Sequence, residues 1–274
     1  MSDVMDPQPK QPKKSDLLIR SLSSIVLGPP VLAAVYFGSP YSDGLIVLCA
    51  LILSWEWAML TGRRHIRVPG WLLVASVTTL LVLGALGFEE LFIPVLLLCT
   101  VLIFAYTKFI ERDVPQAFWL TLGLGYVSVT TYSLLWLRNG SDNGFEIVLW
   151  ILLVVWSTDI GAYFSGKSIG GPKIAPSISP KKTWAGLIGG MIAAAAISFG
   201  FAISTELFSP ILLGFFGACL AVVSQMGDFF ESHIKRKFDA KDSSNLIPGH
   251  GGLFDRVDGL LACSLLVFLI HLVY

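Results

Sequence analysis

Charge is scarce in this chain. Only 14% of its 274 residues are Asp, Glu, Lys or Arg, against roughly a quarter in soluble domains, and that scarcity excludes an ordinary soluble fold. The net charge is zero and the pI is near 6.9, so nothing argues for a nucleic-acid partner. Cysteine is scarce too. Cys49, Cys99, Cys219 and Cys263 each stand alone in an apolar stretch, with no C-x-x-C and no Cys/His pairing. Neither a zinc site nor a disulfide framework is indicated, and each reads as a small buried hydrophobe. No internal repeat rises above weak hydropathy similarity, and no inverted pair of broken helices marks a transporter. What is abundant is apolar side chain, 54% of residues, with a mean hydropathy of +0.73. The composition is that of an integral membrane protein.

Residues 1–16 are polar and proline-rich, and the reading is a disordered tail. Lys10, Lys13 and Lys14 precede an apolar run from Leu17 to Phe37 that is too long for a signal peptide's core and lacks a cleavage site. It reads as a retained helix kinked at Pro29-Pro30. Further runs follow at 44–61, 71–88, 91–110, 117–138, 145–165, 184–204, 210–230 and 257–273, each near the roughly 20 residues a spanning helix needs. The expected fold is all-α and polytopic, with about nine transmembrane helices. The hinge at Phe88-Glu89-Glu90 leaves a re-entrant hairpin open for 71–88 and 91–110. If the N-terminus is cytoplasmic, every lysine and arginine except Arg138 falls on the cytoplasmic side. The long polar connections 166–183 and 231–256 then face the compartment that holds nucleotides, and Tyr274 lies outside. The chain divides into the tail, N-terminal helices over 17–138, and a C-terminal catalytic region over 139–274.

Chemistry concentrates between Asp228 and Asp258. On a helix, Asp228, Glu231, Ser232 and Lys235 share one face. Asp228 closes the eighth apolar run and Asp255 opens the ninth, so the intervening loop can bring them together as ligands of Mg²⁺, which takes one or two carboxylates and shares its other positions with phosphates and waters. Glu231 and Asp258, one turn further on, stand as outer ligands. Asp159 is an ionisable group inside an apolar run and a candidate by default; pairing with Lys167 is its bland explanation. Ser179-Pro180 reads as an N-cap and first helical position, which puts Lys181 and Lys182 in a first helical turn. Lysines there oppose the helix dipole unless an anion sits at the helix start. Thr183 follows them. Lys235-Arg236-Lys237 suits a helix C-terminus at an anionic interface, while Lys241 and Arg256 are better placed for phosphates. His250 serves either as acid or as phosphate donor. Gly251 and Gly252 allow close backbone approach to a ligand. Glu56, another intramembrane acid, either lines a lipid access path or pairs with Arg20.

The run Ser232-x-Ile234-Lys235-Arg236, then Lys241-Asp242, then Pro248-x-His250-Gly251-Gly252-Leu253-x-Asp255-Arg256-Val257-Asp258 resembles the signature of the phosphatidate cytidylyltransferases. Asp159 with Gly161-Ala162-Tyr163, and Ser179-Pro180-Lys181-Lys182-Thr183, are similar to two further elements of that family. Ile160 departs from the family's small or hydroxylated residue, and Ala185 from its acid or amide. The resemblance is strong over 157–258 and extends to the N-terminal half only in hydropathy. It implies a nucleotidyltransferase of phospholipid biosynthesis in a bacterial inner membrane. Its substrates would be CTP and phosphatidate, its products CDP-diacylglycerol and pyrophosphate, and its cofactor Mg²⁺, with a second, monovalent cation and a homodimer left open. Two other readings remain at this point. A CTP-dependent lipid kinase would use similar parts and need a base for a neutral hydroxyl. A cation transporter would explain the intramembrane acids but not the lysines and Gly-Gly loop.

Overall fold

A computed structural model describes residue 26 and residues 28–206, 208–247 and 251–273. The expected tail, Arg20 and His250 lie outside the described residues. The helices are α1 (Gly28–Phe37), α2 (Tyr41–Thr61), α3 (Val68–Ala85), α4 (Phe92–Ala105), α5 (Val114–Asn139), α6 (Gly144–Ser168), α7 (Trp184–Thr205), α8 (Pro210–Lys237) and α9 (Phe254–His271). A 3₁₀ turn (Glu89–Leu91) and a π turn (Tyr106–Ile110) extend α4 at its two ends. A hairpin of β1 (Lys173–Ala175) and β2 (Ser179–Thr183) separates α6 from α7.

Among the described residues seven helices, α2 to α8, are long and apolar enough to cross a membrane, α4 with its two extensions. The sequence reading has nine. Among the described residues α1 covers Gly28–Phe37, with 17–25 and 27 of the expected first run outside them, and α9 carries Asp255, Arg256 and Asp258 in its first two turns. Both α3 and the extended α4 reach spanning length. On α4, Ile93, Leu97, Leu98, Val101 and Leu102 are all exposed, as befits a helix that lipid rather than protein surrounds.

Local signals set the helix starts. Asp113 accepts a hydrogen bond from the Gln116 N–H at 3.0 Å at the head of α5. Thr183 does the same for Gly186 at 3.1 Å at the head of α7. Prolines occupy the first turns of α3, α5 and α8, where no intrahelical N–H is needed.

Two apolar cores hold the bundle. One surrounds Trp57 of α2, which is fully buried against Tyr126 of α5, Phe230 of α8 and Phe254 of α9. Its indole N–H donates to the Trp119 carbonyl at 2.8 Å. Gly123 on α5 makes room for it, since a β-carbon there would lie 2.2 Å from Trp57 Nε1. The other core joins α6, α7, α8 and α9. There α6 and α7 meet at backbone distance, where a β-carbon on Gly189 would lie 1.9 Å from Ser165 Oγ. Arg138 ties α5 to α1 through the Val35 carbonyl at 2.6 Å, at the end of the bundle away from the polar connections.

Three boundaries differ from expectation. Ser179 and Pro180 do not start a helix: residues 179–183 form β2, antiparallel to β1 with Lys173 opposite Thr183 and Ala175 opposite Ser179. The helix begins at Trp184, because Thr183 can cap it while the preceding residues are extended. Lys181 and Lys182 therefore do not oppose a helix dipole, and they point to opposite faces of a strand. Helix α8 continues past the apolar run to Lys237, and α9 starts at Phe254, ahead of the expected 257.

Candidate active site

Helices α8 and α9 touch at their backbones. A β-carbon on Gly227 would lie 2.5 Å from the Asp258 carbonyl oxygen, and one on Gly259 would lie 2.4 Å from Ser224 Oγ. This close approach brings the residues after Gly227 against the second turn of α9. One carboxylate oxygen each from Asp228, Glu231 and Asp258 then lie within 4.8 Å of one another. Lys182, from β2, makes an ion pair with Asp228, and its ammonium sits 4.7 Å over the Phe229 ring. Lys235, one turn beyond Glu231, lies 2.7 Å from the Glu231 carboxylate and 2.6 Å from Asp255 Oδ1.

These groups open into a cavity of about 340 Å³, which Asp159, Asp242 and Arg256 also line. Six carboxylates thus line one cavity together with Lys235 and Arg256, and Lys182 is ion-paired to Asp228. Beneath the cluster is an aromatic floor. The Tyr126 and Phe230 rings lie 4.8 Å apart, with Trp57 and Phe254 at 5.9 Å from each other. Rings held at such distances form a stiff support.

The sequence reading pairs Asp228 with Asp255; the acid whose oxygen lies within 4.8 Å of those of Asp228 and Glu231 is Asp258. The reason is geometric. Because α8 runs on past Asp228 by about two and a half turns, Asp228 meets the second turn of α9 rather than the first. Asp255 lines the same cavity but is engaged by the loop. Its Oδ2 accepts from Ser243 N at 3.0 Å, Ser243 Oγ at 3.0 Å and Gly252 N at 2.8 Å, while Oδ1 takes Lys235.

The glycines are also needed for a different reason from ligand approach. Gly251 has φ +86°, a left-handed value, and a β-carbon there would lie 2.8 Å from Asp255 Oδ2. A β-carbon on Gly252 would lie 1.9 Å from Ser243 Oγ and 2.4 Å from Glu56 Oε1. Both glycines let the loop fold onto acids of the protein itself. Glu56 is fully buried and neither lines a lipid path nor faces a basic side chain among the described residues; it holds this loop.

Other expected residues sit further out. Lys181 is exposed, and Ser179 is half-buried at the far end of β2. Thr183 is buried as the cap of α7. Lys167 is exposed and bonds the Tyr163 hydroxyl at 3.3 Å, not Asp159. Lys241 is exposed, and Arg236 donates to the Ala240 carbonyl at 3.1 Å to close α8. Ser232 is half-buried beside Glu231. The sequence reading overlooked Ser243 and Ser244, whose hydroxyls bond Glu56, and gave Asp242 no place in the cavity. Their signal was the polar run Asp242-Ser243-Ser244-Asn245 between two motif elements.

Three clustered carboxylates repel one another, and a cation between them removes the repulsion. All their donor atoms are hard oxygens, which suit Mg²⁺ and leave coordination positions for phosphate oxygens. Lys182 and Lys235, paired with these acids, and Arg256 in the same cavity can meet the same phosphates. The three carboxylates could hold a divalent cation, and the cations beside them could meet phosphate oxygens.

Comparison with known proteins agrees with this chemistry. The model of the "Cytidylyltransferase family" matches residues 18–274. A phosphatidate cytidylyltransferase of Brucella suis is 38% identical over 271 residues, covering 95% of each chain. One from Rickettsia bellii is 32% identical over 272 residues, covering 97% of this chain and 95% of its own. One from Bacillus subtilis is 37% identical over 168 residues, 60% of this chain and 62% of its own. Such similarity runs through the N-terminal helices as well as the cavity, and on it the chain belongs to the cytidylyltransferase family.

Proposed function

We propose that this integral membrane protein transfers the cytidylyl group of CTP to phosphatidate, forming CDP-diacylglycerol and pyrophosphate. The observation that carries the reading is the cavity in which Asp228, Glu231 and Asp258 converge with Lys182, Lys235 and Arg256. Relatives along the whole chain carry the name of that activity.

A phosphatidate phosphate oxygen attacks the α-phosphorus of CTP in line. A bond forms there, the bond to the β-phosphate oxygen breaks, and pyrophosphate leaves with its electron pair. The attacking phosphate monoester has its second pKa near 6 and is already anionic, so the step needs no strong general base. Mg²⁺ held by Asp228, Glu231 and Asp258 would supply charge neutralisation and a template for the phosphates. Lys182 stands on the strand facing Asp228 and can exchange that partner for a phosphate oxygen. Arg256 stabilises the charge that accumulates on the transferring and leaving groups. Lys235 keeps Glu231 and Asp255 fixed on either side. Lys181, Lys167 and Lys241 form an exposed basic rim that attracts anionic substrate and lipid headgroup.

The cavity faces the cytoplasm of a bacterial inner membrane in this reading. The support is the placement of every lysine and arginine but Arg138 on the segments assigned to that side.

The test is a product assay with purified protein, phosphatidate vesicles, Mg²⁺ and CTP labelled separately at the α- and γ-phosphates. Cytidylyl transfer puts α-label into lipid and γ-label into pyrophosphate. Label from the γ-position in lipid, with α-label left in CDP, would mean a kinase; unchanged CTP would remove both readings.

A further inference from the structure

Glu56 lies on α2, far in sequence from the loop it holds, and is fully buried. Its Oε1 accepts from Ser244 Oγ at 2.6 Å and Leu253 N at 2.8 Å. Its Oε2 accepts from Phe254 N at 2.7 Å and lies 3.1 Å from Ser243 Oγ, whose single proton it shares with Asp255 Oδ2. The amides of Leu253 and Phe254 are the first of α9, which no intrahelical carbonyl can reach, and α9 has no side-chain cap of its own at Leu253. A carboxylate from another helix therefore caps α9. The same loop places Asp255 through Ser243 and Gly252, and Asp258 lies in the next turn of the helix so capped.

We infer that Glu56 is a positioning residue for the reaction: it fixes Ser243, Ser244 and the start of α9 at Leu253 and Phe254, and so sets Asp255 and Asp258 relative to Asp228 and Glu231. The inference rests on the cavity being the reaction site. The chemistry calls for a carboxylate specifically. Each oxygen faces one backbone N–H, so a glutamine amide would turn its NH₂ toward one of them in either orientation. Serine hydroxyls can rotate away; backbone amides cannot. One buried N–H would lose its acceptor. Glycine at 252 completes the device, because a β-carbon there would occupy the space of Glu56 Oε1.

The experiment uses full-length protein in detergent and combines kinetics with hydrogen–deuterium exchange. Glu56→Gln should speed exchange in 243–247 and 251–254 while α2 and α5 keep wild-type protection. It should also lower kcat by about 10- to 100-fold, the scale of a misplaced catalytic group. Ser244→Ala, which leaves both backbone bonds to Glu56 in place, should shift exchange in the same segment by less. The double variant Glu56→Gln/Ser244→Ala should be no slower than Glu56→Gln alone. Wild-type exchange and kcat in Glu56→Gln would overturn the inference, as would faster exchange spread over all helices or additive losses in the double variant. Asp228→Asn separates the two claims: wild-type turnover there would sink the cavity as the reaction site and Glu56's catalytic role with it, while the exchange data test the anchoring alone.

Discussion

Replacing Asp258 with Asn should make the metal-free protein more stable and the metal-loaded protein less so. The side chain keeps its size, and its Oδ1 keeps the bond from Gly259 N at 2.8 Å. What changes is charge. Two unit charges within 4.8 Å of each other repel by at least about 3.5 kcal/mol at an effective dielectric of roughly 20. Asp258 faces two such partners, Asp228 and Glu231, while Lys182 and Lys235 nearby return part of that energy as attraction. A net gain of about 1–3 kcal/mol remains, and each kcal/mol raises Tm by roughly 2–4 °C in a chain of this size. With Mg²⁺ the sign reverses. A ligand at a hundred times its Kd stabilises the protein that binds it by about 2.7 kcal/mol, and a site short of one carboxylate loses most of that increment. Thermal melts of wild type and Asp258→Asn in EDTA and in excess Mg²⁺ should therefore cross. An equal Mg²⁺ increment in both proteins would refute the assignment of Asp258 to the metal.

Lys182→Ala should lower kcat/KM for CTP by about 10- to 100-fold and Lys181→Ala by much less, because the strand turns only Lys182 toward Asp228; steady-state kinetics decide it, and equal losses would mean both lysines reach the substrate. In a cysteine-free background, Ser177→Cys should be shielded from an impermeant thiol reagent added outside intact cells and Asp142→Cys labelled, the reverse pattern placing the cavity outside. Gly189→Leu should prevent stable assembly of α6 against α7, since even a β-carbon meets Ser165 Oγ at 1.9 Å, and detergent melts should show a loss of several °C or failure to fold.

The helical bundle was legible because lipid imposes a simple rule: backbone polar groups must pair within the segment, so long apolar runs become helices. Where the rule stops, so did the reading. Ser179-Pro180 looks like a helix start in isolation, but β1 offers residues 179–183 a partner strand and Thr183 is the better cap. The Asp228–Asp255 pairing followed from the ends of apolar runs, whereas α8 continues through polar residues to Lys237 and shifts the register against α9. The acids themselves were legible as candidates, since few carboxylates are tolerated between apolar helices. Their sorting into cluster and loop anchor was not, because it depends on backbone contact at Gly227 and Gly259 that no periodicity encodes. Glu56 stood out as an intramembrane acid, yet its donors are Ser243, Ser244 and two backbone amides, so no search for a charged partner could find them.

The central claim is that Asp228, Glu231 and Asp258, rather than Asp255, hold the metal that orients CTP. A Mg²⁺ titration of cytidylyl transfer in wild type, Asp258→Asn and Asp255→Asn tests it most directly. Asp258→Asn should shift half-saturation to much higher Mg²⁺, by about 10- to 100-fold, with residual turnover that excess metal only partly restores. Asp255→Asn, which loosens the loop but leaves the cluster intact, should show a lower plateau at nearly the wild-type half-saturating concentration. A wild-type Mg²⁺ curve in Asp258→Asn, with the shift found in Asp255→Asn instead, would contradict the account.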